Sequence, residues 1–169
     1  GANYPDAVGG APLAAGMGWP ILLVQPTATT MTIPTGAHGA AILGGTSAVS
    51  DALETYLEGK FGDVAVDRLG GGDRYETSAK VAQYGVDNGM VWDGVGIATG
   101  TNFPDSLAGG VALGLYRSVM LLTPTDTLHP QAAAKLDTNK ADIESVVFLG
   151  GPAAVSTTVE TAVKGILGL

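Results

Sequence analysis

Arg68-Leu69-Gly70-Gly71-Gly72-Asp73-Arg74-Tyr75-Glu76-Thr77-Ser78 decides how this chain is read. It has the form of a strand end, a glycine turn and the first turn of a helix. Three consecutive glycines reach φ > 0 without strain and place no side chain in the way of a neighbour. Asp73 suits an N-cap, and Glu76 stands three residues on, the spacing of a capping box. Ala79, Val81, Ala82 and Val86 then continue at near-helical spacing. A glycine run opening a helix can cradle a phosphate. This one matches neither G-x-G-x-x-G nor a P-loop with its Lys, so a tight structural turn is expected. Asp73 and Glu76 form a carboxylate pair of the kind used in acid–base chemistry, but a capping box accounts for both. Arg74 opposes the helix dipole, so a partner carboxylate or an anionic ligand must offset it. Arg68 has the same two options, and both stay open.

Outward from this stretch the chain repeats itself. Asn3-Tyr4-Pro5-Asp6 returns as Asn102-Phe103-Pro104-Asp105, an offset of 105 − 6 = 99, which also carries Leu22-Leu23 onto Leu121-Leu122. Leu43-Gly44-Gly45 with Ala48-Val49-Ser50 returns as Leu149-Gly150-Gly151 with Ala154-Val155-Ser156, an offset of 150 − 44 = 106. Residues 68–169 therefore read as one complete repeat. Residues 1–67 read as the later part of another that lacks its own glycine–Asp-Arg-Tyr segment. The chain opens inside a motif, as an excised or processed fragment does. A period near 100 suits tandem small domains better than a solenoid.

Short apolar strands are expected at 21–24, 40–43, 64–66, 95–98, 119–122 and 146–149. Helices are expected over 1–18, 48–59, 74–88, 102–116, 130–137 and 154–167. This alternation predicts an α/β fold of parallel βαβ units with helices on both faces. Loops beyond the carboxyl ends of such strands form the binding edge. Gly44–Ser47, Gly70–Arg74, Thr99–Asp105 and Gly150–Ala153 are expected along that rim.

Composition narrows the function. Gly is 26 of 169 residues, roughly twice the usual share, and clusters beside apolar runs, which points to tight turns and close packing. With no Cys, disulfides and thiolate metal sites are excluded. His38 and His129 are far apart and read as surface residues, so neither a metal nor a cofactor is expected. A net charge of −8 with eight scattered Lys and Arg speaks against nucleic acid. No apolar run is long enough for membrane insertion, and no signal peptide is visible. Asp6 and Asp105 sit where helix starts favour negative charge; Asn3 and Asn102 suit caps and could donate to a sugar hydroxyl. Ser50 and Ser156 lack a His or a nucleophile elbow and read as helix starts. No catalytic constellation emerges.

The motifs Arg68–Thr77, Ala98–Gly109 and Phe148–Ser156, in this order, resemble the cell-wall-binding repeat 2 family; Ala2–Gly10 and Ile42–Ser50 show the latter two in the first copy. The resemblance implies tandem Rossmann-like or flavodoxin-like modules with short parallel sheets flanked by helices. It implies secreted or cell-surface proteins held noncovalently at the cell wall by an anionic polysaccharide or teichoic-acid-like polymer. It also implies packing with neighbouring repeats or subunits as a trimer-like unit, with catalysis confined to other regions. On this reading Arg68 and Arg74 meet the anion. The turns with Gly70, Gly71, Gly150 and Gly151 allow close approach, Asn102 meets hydroxyls, and Asp73 and Asp105 complete the ligand-binding rim. Two other classes remain: a self-assembling surface scaffold, and a hydrolase using Asp73, Glu76 or Asp105.

Overall fold

The structure, a computed structural model, describes residues 5–102 and 104–169; the expectations on Asn3, Tyr4 and Phe103 lie outside them. Two small helices open it, α1 (Pro5–Gly9) and α2 (Ala11–Met17). β1 (Ala40–Leu43), α3 (Asp51–Phe61) and β2 (Val66–Leu69) follow. Then come α4 (Arg74–Asp87), β3 (Val91–Thr99), α5 (Pro104–Leu115), β4 (Ser118–Thr123), α6 (Pro130–Asn139), β5 (Ser145–Leu149) and α7 (Thr157–Leu167). The α/β reading holds: all strand pairs are parallel, β4-β3-β5 in one sheet and β1-β2 in another.

β3 is the central strand of the larger sheet, and its residues from Val95 to Ala98 are buried on both faces. Val95 and Ile97 of β3, Val119 and Leu121 of β4, Leu136 of α6, and Val159 and Val163 of α7 form the main core, all at 0–1% exposure. Continuous apolar runs are what a sheet covered on both sides requires. A second cluster ties the halves of the chain together: Val8 of α1 packs with Ala98, Leu113, Met120 and Leu122. The third, Ile42, Leu53, Leu57 and Val66, fills the space between the β1-β2 sheet and α3.

Three expectations change. The first helix is two, because Pro12, with no N–H to give, sits in the first turn of α2 and the chain breaks at Gly10. The third strand begins at Val66 rather than Val64; Asp63–Ala65 is a 3-10 turn in which the Asp63 carboxylate accepts from the Val64 amide (2.9 Å). Ile21–Val24 is not a strand: Ile21, Leu22 and Leu23 are 39%, 45% and 61% exposed, and Val24 packs on the third cluster, partly buried. Their counterparts Leu121 and Leu122 are fully buried in β4 because β3 lies alongside. Among the described residues no strand flanks 21–24, and a strand forms only beside another strand.

Helix α5 packs on α2 through glycines. A Cβ at Gly114 would come within 2.5 Å of the Ala15 Cβ and 2.7 Å of the Pro12 carbonyl. Gly165, inside α7, has no atom within 4 Å of where its Cβ would be. Gly→Ala in a helix interior normally stabilises by about 1 kcal/mol. In urea unfolding, Gly165→Ala is expected to gain about that amount, whereas Gly114→Ala is expected to lose about 1–3 kcal/mol through overpacking.

Candidate functional site

The glycine turn sets the geometry of the rim. Parallel pairing of β1 with β2 brings their carboxyl ends together, and the Gly44 amide donates to the Leu69 carbonyl (2.9 Å). A Cβ at Gly70 would lie 2.9 Å from the Gly44 carbonyl and the Gly45 amide nitrogen, so Gly70 is needed for this close approach. The next amides are used within the chain: Gly71 donates to Thr77 Oγ1 (3.0 Å) and Gly72 to Glu76 Oε2 (2.8 Å). The turn is therefore a structural clasp and not an open phosphate cradle.

Asp73 caps α4 as expected, its Oδ1 accepting from the Tyr75 and Glu76 amides (2.9 and 2.8 Å). Glu76 completes a shifted capping box by reaching Gly72 instead of the cap residue. The Gly72 amide, then Lys80 at 3.0 Å, hold its carboxyl below the usual glutamate range. Lys80 also donates to the Gly70 carbonyl (2.7 Å). The other oxygen of Asp73 faces His129 Nε2 at 3.3 Å. His129 accepts from the Gln131 amide at Nδ1 and lies 4.9 Å from the Tyr75 ring centre. The sequence puts His129 at the surface; the fold wedges it between Asp73 and Tyr75, a juxtaposition that spacing alone does not show.

The two arginines separate. Arg68 turns inward across β1: it donates to Glu54 Oε2 (2.9 Å) and to the carbonyls of Gly44 (3.1 Å), Val49 (2.9 Å) and Ser50 (3.4 Å). Its charge is met by a carboxylate partner, one of the two options left open. Arg74 stays on the rim, donating to the Gly100 carbonyl in the loop after β3. A Cβ at Gly100 would meet the Tyr75 ring and the Arg74 stem. Arg74 thus joins the β2 turn to the loop carrying Asn102.

Asp6 and Asp105 occupy matching places. A Cβ at Gly44 (φ 104) would lie 2.6 Å from Asp6 Oδ2, and one at Gly150 (φ 100) 2.5 Å from Asp105 Oδ2. Around Asp6 the second half adds Thr77, Arg74 and Asp73. Around Asp105 no such helix arrives among the described residues, and Asp105 is exposed. Gly70, Gly71, Asp73 and Arg74 therefore gather with Gly44 at the junction between the halves. Asp105 and Gly150 meet at a second, opener turn, with Asn102 and Gly151 beside them in sequence. Thr77, which binds the turn from below, was not singled out by the sequence. Beside the junction an open groove of about 400 Å³ runs between α4 and α6, bordered by Leu69, Lys80, Gln83, Tyr84, Gln131 and Lys135. Among the described residues no group of three or more His, Asp or Glu is placed to hold a metal, and no helix is long and apolar enough to cross a membrane.

Burial raises the Asp6 carboxyl above 3.8; the Thr77 hydroxyl and the Arg74 charge pull it back, and Asp73 adds to the rise. A raised carboxyl pKa penalises the folded state once the group ionises. The penalty is absent below 3.8 and complete above the folded pKa. Asp6→Asn is therefore expected to gain stability relative to the unaltered chain as pH rises from about 3.8 to neutrality. Urea midpoints across that range measure it; a difference that is flat or shrinks with pH contradicts the assignment.

Comparison with known proteins accords with the sequence motifs. The Cell wall binding domain 2 (CWB2) family profile matches residues 1–54 and 68–160. N-acetylmuramoyl-L-alanine amidase LytC of Bacillus subtilis is 29% identical over 167 residues, covering 95% of this chain and 31% of that protein. The amidase enhancer of the same organism is 28% identical, covering 96% of this chain and 22% of its own length. The chain thus spans under a third of these curated relatives. Cwp6 from Clostridium difficile shares the fold at TM-score 0.80 and 23% identity, over 96% of this chain and 26% of that one. Cwp8 from Clostridium difficile does so at TM-score 0.73 and 24% identity, over 97% and 28%. On its motifs, its fold and the span of the family match, the chain belongs to the Cell wall binding domain 2 family.

Proposed function

We propose that this chain is a noncatalytic module that fastens a surface or secreted protein to an anionic polymer of the cell wall, with residues 1–67 a partial repeat and 68–169 a complete one. The observation that carries this is the pattern of the matches. Nearly the whole chain aligns with a minority of two proteins whose names give different roles, an amidase and an amidase enhancer. A portion common to both suits attachment better than either role. The rim chemistry agrees. Asp73 and Glu76, two of the three carboxylates a hydrolase could use, are engaged as helix cap and turn clasp, and the third, Asp105, lies at the other turn over Gly150. The α4–α6 groove carries Lys80 and Lys135 together with Glu76 and Asp87, so the positive charge for an anionic polymer is Arg74, on the rim beside Gly100, on a chain of net charge −8.

Binding of this kind weakens with salt, because exposed charges are screened within about 10 Å at 0.1 M ionic strength. Retention on purified cell walls is expected to fall as salt is raised. Arg74→Ala is expected to reduce it roughly tenfold, the effect of losing a charge-assisted contact. Retention indifferent to both salt and Arg74 contradicts the anionic-polymer reading.

One observation favours self-assembly as a second reading. Leu107, Val111 and Leu115 line one side of α5 and, with Tyr116 just beyond its end, are 45%, 48%, 77% and 78% exposed. At offset 99, Val8 and Pro12 of the first half correspond to Leu107 and Val111, and both are buried against the second half. A second copy or a neighbouring repeat fits that stripe, as in a trimer-like arrangement. Light scattering without polymer is expected to show a defined oligomer that Val111→Glu with Leu115→Glu dissolves; a monomer at every concentration excludes this reading.

A further inference from the structure

The joint between the halves uses a set of groups at the end of β1 whose counterparts recur at the end of β5. In the first instance β1 offers its edge to β2, with Ile42 opposite Arg68 and Leu43 opposite Leu69. Arg68 then plugs into the carbonyls of Gly44, Val49 and Ser50 and the Glu54 carboxylate. At offset 106 the same set is Gly150, Val155, Ser156 and Glu160 at the end of β5.

This second set has the same backbone. Gly44 and Gly150 have φ of 104° and 100°. The Gly45 carbonyl accepts from the amides of Ala48 and Val49 (2.9 and 3.1 Å), and that of Gly151 from Ala154 and Val155 (2.8 and 3.0 Å). Ser50 and Ser156 precede their helices at φ, ψ of −59°, 151° and −69°, 160°. The same edge is also open. The Gly100 amide bonds the Thr123 carbonyl, so even-numbered residues at this end of β3 face β4 and odd-numbered ones face β5. In the observed register the odd residues Val147 and Leu149 answer them, and the amides of Phe148 and Gly150 point away from β3. These correspond to Ile42 and Gly44, on the side that β2 occupies in the first instance. β5 has no second neighbour among the described residues, and Val147 is 47% exposed.

One charged group at the second set has a weaker partner than its counterpart. Among the described residues the Glu160 carboxylate pairs with Lys164, one helical turn on and 3.7 Å away, where Glu54 has the Arg68 fork at 2.9 Å.

We propose that the free edge of β5 and the groups at its end form a receiving site for one extended segment of the type Val-x-Arg-Leu-Gly-Gly, supplied by a further repeat. The segment pairs parallel to β5 with its arginine opposite Phe148. The guanidinium lies on the carbonyls of Gly150, Val155 and Ser156 and pairs with Glu160. Charge, register and hydrogen-bond geometry all select arginine, since a lysine ammonium has no fork to span three carbonyls and a carboxylate. Nothing in this inference depends on polymer binding.

The test is titration of the isotope-labelled chain with a synthetic peptide of the sequence Val64–Gly72, followed by amide NMR. Saturable shifts are expected at Val146–Gly150, Ser156 and Glu160. Replacing the peptide's arginine by alanine, or Glu160→Gln in the chain, is expected to weaken binding about tenfold. Absence of binding at millimolar peptide overturns the proposal. So do shifts confined to Ala40–Leu43, which report exchange with β2, and binding indifferent to both substitutions.

Discussion

The joint between β1 and β2 holds the rest in place. A strand that precedes one half's glycine turn pairs with the last strand of the other half, and Arg68 fixes it there with a carboxylate and three carbonyls. Charge-assisted bonds of this kind are roughly twice as strong as neutral ones, and the Arg68 side chain is only 16% exposed. Once β2 is set, the Gly70–Gly72 turn must fall against Gly44, and α4 must start where Asp73 caps it. The position of Arg74 on the rim is a consequence of the position of Arg68 in the joint.

The glycines earn their frequency in two distinct ways. Gly44 and Gly150 adopt positive φ and let an aspartate from a neighbouring helix start lie directly over the backbone. Gly70 and Gly114 have no room for a Cβ because backbone from the other half of the chain passes beside them. The first use shapes a turn within each half, and the second lets the two halves of the chain meet. That explains why the glycines gather at strand ends and on the α2–α5 contact rather than in linkers. The same economy leaves groups on the second half, the edge of β5 and the apolar side of α5, in the state their counterparts would have without a neighbour.

Much of this was legible in the residues. The internal offsets, the parallel α/β class, the capping of α4 and the buried runs of β3, β4 and β5 follow from local pattern, since a strand covered on both faces needs continuous apolar residues. Ile21–Val24 shows the limit. It carries the same apolar signal as β4, but pairing is decided by whether a neighbour exists, and that is not written in the segment itself. His129 and Thr77 show the same limit at the rim: each acts through a contact with residues distant in sequence or across a turn.

The sequence by itself determined the internal offsets, the fold class and the cap of α4, because each depends on residues within a few positions of one another or on direct likeness between segments. Only the tertiary structure decided what each arginine touches. Arg68 and Arg74 flank one glycine turn with equal claims on an anion, and side-chain direction alternates along a strand. The pleat of β2 turns Arg68 into the joint, while the start of α4 carries Arg74 out to the rim.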